Sequence, residues 1–168
     1  EQWANYNNPV ITCQSTGVEI SNPNAALAGP FLLGLPNISF PSDYVIEVQL
    51  QQASTSQADF GVYFRNQLGS QSGVYNFLIH SDGSWSAYVY DNATGNPTEL
   101  HRGSSIGSAY SSLLVDVAVI GSNFTFFVNG HQVGGLHDST YPTGTVGIAV
   151  DAGGTIFASN FALYTIAS

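Results

Sequence analysis

Apolar and polar side chains alternate with a period of two through most of this chain, a pattern that suits extended strands with one buried face. Tyr44-Val-Ile-Glu-Val-Gln-Leu-Gln51 sets Ile46, Val48 and Leu50 on one side and Glu47, Gln49 and Gln51 on the other. Asp59 to Arg65 groups Phe60, Val62 and Phe64 opposite Gly61, Tyr63 and Arg65. Tyr75, Phe77 and Ile79 oppose Asn76, Leu78 and His80, and Trp85, Ala87 and Val89 oppose Ser86, Tyr88 and Tyr90. Leu113 to Ile120, Asn123 to Val128, Thr145 to Val150 and Ile156 to Ile166 continue the series. Ser81-Asp-Gly-Ser84, Gly121-Ser122 and Gly153-Gly154 turn the chain between these runs. Asn129-Gly130 is the clearest hairpin signal, because a type I′ turn needs φ > 0 at both central residues. Strands joined by such turns, with no helical periodicity between them, predict an all-β sandwich of two antiparallel sheets. No linker interrupts the pattern, so residues 1–168 read as one domain, with polar, Asn-rich 1–9 as an extension.

Charge narrows the partners. Only 8% of residues are charged, against about 25% in an average soluble domain. There is no lysine, and Arg65 and Arg102 are the only arginines in a chain of net charge −9. Two cations cannot line a phosphate backbone, which argues against nucleic acid, and anionic membrane surfaces are disfavoured likewise. No apolar run reaches the 18 residues that a membrane-spanning helix needs. Neutral, hydroxyl-rich partners stay open: a glycan, another polar polymer, or a protein surface. The chain starts at Glu1 without a charged leader, which fits a mature secreted product or an excised ectodomain and so an extracellular or cell-surface setting. Cys13 has no partner in the sequence and reads as a buried small hydrophobe or as half of an intermolecular disulfide. Sequons at Asn37, Asn92 and Asn123 are no more than chance supplies in so Asn- and Ser-rich a chain.

The order of several segments resembles a known family. Asp59-Phe-Gly-Val-Tyr-Phe-Arg65, Phe77-Leu-Ile-His-Ser-Asp-Gly83, Leu114 to Gly121, Asn123-Phe-Thr-Phe-Phe-Val-Asn-Gly130, Asp138 to Gly147 and Asn160-Phe-Ala-Leu-Tyr164 follow one another as in laminin-G-like members of the concanavalin-A-like superfamily. The nearest resemblance is to bacterial extracellular domains of this kind, relatives of the keto-disaccharide hydrolase domain. It spans about residues 17 to 166 and implies a concanavalin-A-like jelly roll that binds glycan or protein; fold alone does not fix the function. A Ca²⁺ site made from Asp and backbone carbonyls is common in such domains. Asp82, Asp91, Asp138 and Asp151 lie in or beside turns, although none has a second carboxylate next to it in sequence.

Catalytic chemistry is hard to find. Retaining glucanases of this superfamily alternate acidic residues along one strand, whereas Glu47 is followed by Gln49 and Gln51, which can neither protonate nor attack. No pair of carboxylates within about 6 Å is therefore expected on the non-core face, and the chain reads as no enzyme. No G-x-S-x-G elbow occurs and no Ser/His/Asp triad can be argued from spacing. His131, His137 and Asp138 are either a metal cluster or polar loop residues. The alternation instead places Tyr63, Arg65, Asn76, His80, Tyr88 and Tyr90 on the non-core face of three successive strands. Rings to stack on sugar C–H faces, with amide, imidazole and guanidinium groups for the hydroxyls, make this a candidate ligand platform. The same residues also suit a protein interface or the packing of a partly covered face. A recognition module with no cofactor is the first reading of the chain, and a self-assembling surface or filament subunit, supported by the scarcity of charge, is the second.

Overall fold

The computed structural model describes residues 10–23, 31–34, 40–67, 73–91 and 96–166. The expectations for residues 1–9 and for the sequons at Asn37 and Asn92 fall outside these. Two antiparallel sheets form a sandwich, with no helix among the described residues. The first has seven strands in the order β1 (Val10–Gln14), β2 (Gly17–Ser21), β13 (Thr155–Thr165), β4 (Tyr44–Gln52), β9 (Leu113–Ile120), β10 (Asn123–Val128) and β11 (His131–His137). The second has six, in the order β3 (Phe31–Gly34), β12 (Thr145–Val150), β5 (Phe60–Asn66), β6 (Gly73–Ile79), β7 (Trp85–Asp91) and β8 (Asn96–Gly103).

The core lies where the alternation puts it. Ile46, Val48 and Leu50 of β4 and Val115, Val117 and Val119 of β9 face Phe60, Val62, Phe64, Tyr75, Phe77 and Ile79 of the opposite sheet, all buried. Phe77 stacks on Phe126 with ring centroids 4.6 Å apart, and Phe64 on Tyr75 at 5.3 Å. Each such side chain is worth roughly 1.5–3 kcal/mol when fully buried, which holds every strand in register against a one-residue slip. Asn129 and Gly130 have φ of 51° and 76°, the left-handed pair that the hairpin requires.

Two features escape the alternation. Strand β11 carries Gly134 where a strand former is expected, and β8 ends at Gly103. A Cβ added at either position would overlap the Trp85 indole, so both glycines are cut to fit this ring. The indole also meets His101 edge-on at 5.3 Å. It therefore ties the margins of the two sheets together.

The second feature is a bulge in β5. Tyr63 pairs with Gly147 and Asn66 with Thr145, so Phe64 and Arg65 together oppose Val146. The extra residue puts Arg65 at φ 50° and swings its side chain to the core side.

Candidate functional site

The outer face of the six-stranded sheet is built from cross-strand rows. One row runs Gly147, Tyr63, Asn76, Tyr88, Glu99, from β12 across to β8. Beside it runs Ala149, Gly61, Leu78, Ser86, Arg102. At the end of the sheet stand Asp151, Asp59 and His80, and on the opposite flank Val74 pairs with Tyr90.

Five of the six platform residues share this face as the alternation predicts. Tyr63 and Asn76 are buried in its floor, while His80, Tyr88 and Tyr90 are half-buried. Arg65 is the correction. It is 1% exposed and donates to the carbonyl oxygens of Tyr141 at 2.9 Å, Ser42 at 3.3 Å and Gly121. Its guanidinium lies 5.1 Å from the centroid of the core ring Phe124. The bulge therefore converts a side chain expected on the outer surface into a tie between the two sheets.

The exposed cation of the face is Arg102, which the alternation did not single out. It donates to Glu99 through Nε at 2.7 Å and Nη2 at 2.6 Å, and the Tyr88 hydroxyl donates to the same carboxylate at 3.1 Å. Hydrogen bonds from Arg102 hold the Glu99 carboxyl below its usual range. Residues three apart in a strand point to opposite sides, so Glu99 and Arg102 do not read as partners in sequence. A second bulge, with Leu100 inserted between the pairs Tyr88/Glu99 and Ala87/His101, brings both to the outer face.

A further network was also hidden from sequence. His80 Nδ1 lies 2.8 Å from Asp59 Oδ2, and its Nε2 lies 2.7 Å from Ser86 Oγ. The hydrogen bond to Asp59 raises the His80 pKa. Although an Asp, a His and a Ser stand in series, Ser86 is buried near the start of β7, where the backbone is paired with β6 and β8 on either side. The series braces the face. Next to it, burial and the Asp59 charge push the Asp151 carboxyl up to about 6.

His131 and His137 sit at opposite ends of β11, about 20 Å apart at strand rise, and form no cluster. Asp138 accepts instead from the Tyr75 hydroxyl and from Thr140 N. Among the described residues no group of three or more His, Cys, Asp or Glu side chains converges as a metal would require. Cys13 is exposed, not buried. On the outer surface of the seven-stranded sheet Glu47 and Asp116 stand directly opposite each other on β4 and β9, a pairing of carboxylates that the expectation did not foresee. Opposed Cβ atoms lie about 5 Å apart. Burial and the Glu47 charge raise the Asp116 pKa, and the Tyr164 hydroxyl donates to Glu47 at 3.1 Å. Local sequence showed only glutamines beside Glu47; the partner comes from a strand far along the chain.

No family model and no curated protein matches the sequence. Solved structures do match. Carbohydrate-binding module CBM66 from Bacillus subtilis superposes with a TM-score of 0.78 at 13% identity, over 94% of this chain and 92% of that one. A Bacillus subtilis protein of unknown function with a galectin-like fold gives 0.75 at 12% identity, covering 97% and 89%. A Caenorhabditis elegans galectin gives 0.59 at 16%, covering 86% and 95%. The fold is a lectin-like β-sandwich. It agrees with the concanavalin-A-like architecture that the order of segments implied.

Proposed function

We propose that the outer face of the six-stranded sheet binds an uncharged glycan without turning it over, as a recognition module of an extracellular protein. The observation that carries this reading is the network of Tyr88, Glu99 and Arg102 beside Tyr90 and Asn76 on one face. A carboxylate and a guanidinium hydrogen-bonded together offer acceptors and donors to adjacent hydroxyls, and the neighbouring ring offers a stacking plane. Arg102 is already neutralised by Glu99, and Asp59, Asp82 and Asp151 add negative charge nearby, so an anionic sugar finds no free cation here. Support from the fold comes from neighbours named as a carbohydrate-binding module and as galectins.

The test is retention on immobilised β-glucan, xylan, galactan and mannan, compared with polygalacturonate. The protein should be retained by at least one neutral polymer and not by the anionic one. Tyr88→Ala should abolish retention while moving the melting temperature by only a few degrees. Unfolding by that substitution would instead make Tyr88 a packing residue and remove the platform.

A second reading, a self-assembling subunit, is favoured by β1. Among the described strands it forms one margin of its sheet, carries no charged residue, and exposes Val10 and Cys13. A concentration-dependent shift to larger species on size exclusion, reversed by reductant, would support it.

A further inference from the structure

Asn76 has no structural reason to be an asparagine. It sits in the middle of β6, between Val74 and Leu78 on the same face, with a backbone already paired to β5 and β7. It is 4% exposed, and its Oδ1 has no hydrogen-bond partner. Two other buried amides also leave the oxygen without a partner, Asn22 Oδ1 and Gln52 Oε1, but each is anchored through its nitrogen: Asn22 donates to Val150 O at 3.0 Å, and Gln52 donates to Ala58 O at 2.5 Å. Those two tie the sheets together at one end of the sandwich. A buried acceptor without a donor costs stability, and asparagine is a poor strand former. A valine or leucine would serve the fold better, so the residue answers to something other than folding.

Its surroundings indicate what that is. In the row across the sheet Asn76 stands between Tyr63 and Tyr88, and Tyr88 leads on to Glu99 and Arg102. The missing partner is a donor, and the charged groups around the face are mostly acidic: Asp59, Asp82, Glu99 and Asp151 against Arg102 and His80. A donor with no negative charge, next to a tyrosine and a carboxylate–guanidinium pair, matches the hydroxyl of a neutral sugar.

We propose that Asn76 is the specificity-determining residue of this face, its Oδ1 accepting a hydrogen bond from one hydroxyl of an uncharged sugar held against Tyr88 and Glu99. The proposal rests on the reading of this face as a glycan site and adds the residue that selects among glycans. A site built to accept from a particular hydroxyl rejects an analogue lacking it far more strongly than an apolar pocket rejects a lost methylene.

The test uses the whole chain and whichever neutral polysaccharide of the panel retains it, first as polymer and then as its soluble oligosaccharide. Asn76→Leu should weaken binding about tenfold or more while melting at or above the wild-type temperature, a combination that a merely structural asparagine does not produce. As a readout without mutation, the Asn76 side-chain amide signal in a ¹⁵N–¹H spectrum should move on titration with the oligosaccharide and stay in place with its non-binding epimers. Undiminished binding by a folded Asn76→Leu, or an unmoved amide signal at saturation, overturns the proposal and leaves the glycan site standing. If Asn76→Leu fails to fold, the amide signal decides alone. Wild-type protein retained by none of the neutral polymers overturns the glycan reading itself, and this assignment with it.

Discussion

Arg65→Ala is the sharpest separation between a residue of the binding face and a residue of the fold. In the structure the guanidinium serves carbonyl oxygens of Tyr141, Ser42 and Gly121 and covers the Phe124 ring. Truncation leaves three carbonyls without this donor and a void beneath the bulge. Against that, it relieves the desolvation of a buried cation whose Nε has no partner. Hydrogen bonds from charged donors are worth about 1.5–3 kcal/mol each, and breaking a buried charged arrangement costs about 3–5 kcal/mol, so the loss prevails. At about 2–4 °C per kcal/mol for a chain of this size, the midpoint should fall by roughly 6–20 °C. Arg65→Met keeps the volume and should fall less; Arg65→Lys keeps the charge but cannot fork between carbonyls, and should fall in between. Thermal unfolding followed by near-ultraviolet circular dichroism measures all three. Should Arg65→Ala melt within about 2 °C of the wild type and lose glycan retention instead, the bulge does not turn Arg65 inward and the argument fails.

Gly134→Ala and Gly103→Ala should each destabilise the protein by about 1–3 kcal/mol, because the new methyl meets the Trp85 ring; an unchanged denaturation midpoint would show that the indole is not wedged there. Two groups make stability decline as pH rises, although the lowered Glu99 carboxyl pulls the other way. The Asp151 carboxyl, up from 3.8 to about 6 in the folded state, favours folding in its neutral form, so its contribution fades from about pH 4 to 6. His80, with its folded pKa raised above 6.5, stabilises below that value and loses the contribution as pH passes its folded pKa. Asp151→Asn should flatten the lower part of the melting-temperature profile and His80→Gln the upper part; unchanged slopes in both would refute the assignment. Glu47 and Asp116 should support no hydrolysis of β-glucan, and turnover that disappears in Glu47→Gln would show otherwise.

The strands with strict alternation were readable because each carries three large apolar side chains whose exposure no register slip can tolerate. Phe60, Val62 and Phe64, with Tyr75, Phe77 and Ile79, place β5 and β6 unaided. Strands β8 and β11 were not read. The first is mostly exposed along Asn96–Gly103, and the second, His131–His137, has two glycines and only the half-buried Val133 and Leu136 against the core, so neither shows two distinct faces. The site was half readable for a related reason. Tyr63, Asn76, His80, Tyr88 and Tyr90 follow the period of two, while Arg65, Glu99 and Arg102 lie at or beside bulges, where one extra residue reverses the facing. Ser86 reaches His80 across the β6–β7 hairpin, whereas Asp59 and Asp151 come to it from segments more distant along the chain.

The seat of Trp85 has a consequence for how this sequence can vary. Gly103 belongs to the strand that bears Glu99 and Arg102, Gly134 to the opposite sheet, and one indole fills the space that both leave. The three positions thus form a single unit of size. A larger residue at either glycine is expected to persist only where a smaller ring or an aliphatic side chain replaces Trp85, so substitutions here should arise in compensating sets. The penalties of separate changes will then fail to sum, and a double-mutant cycle across Trp85 and Gly134 should return a coupling of about 0.5–3 kcal/mol. Because β8 is one side of that unit, drift in the interior of the opposite sheet reaches the residues that contact a ligand. A family of such domains would retune its binding edge from within the core, with no change at the surface.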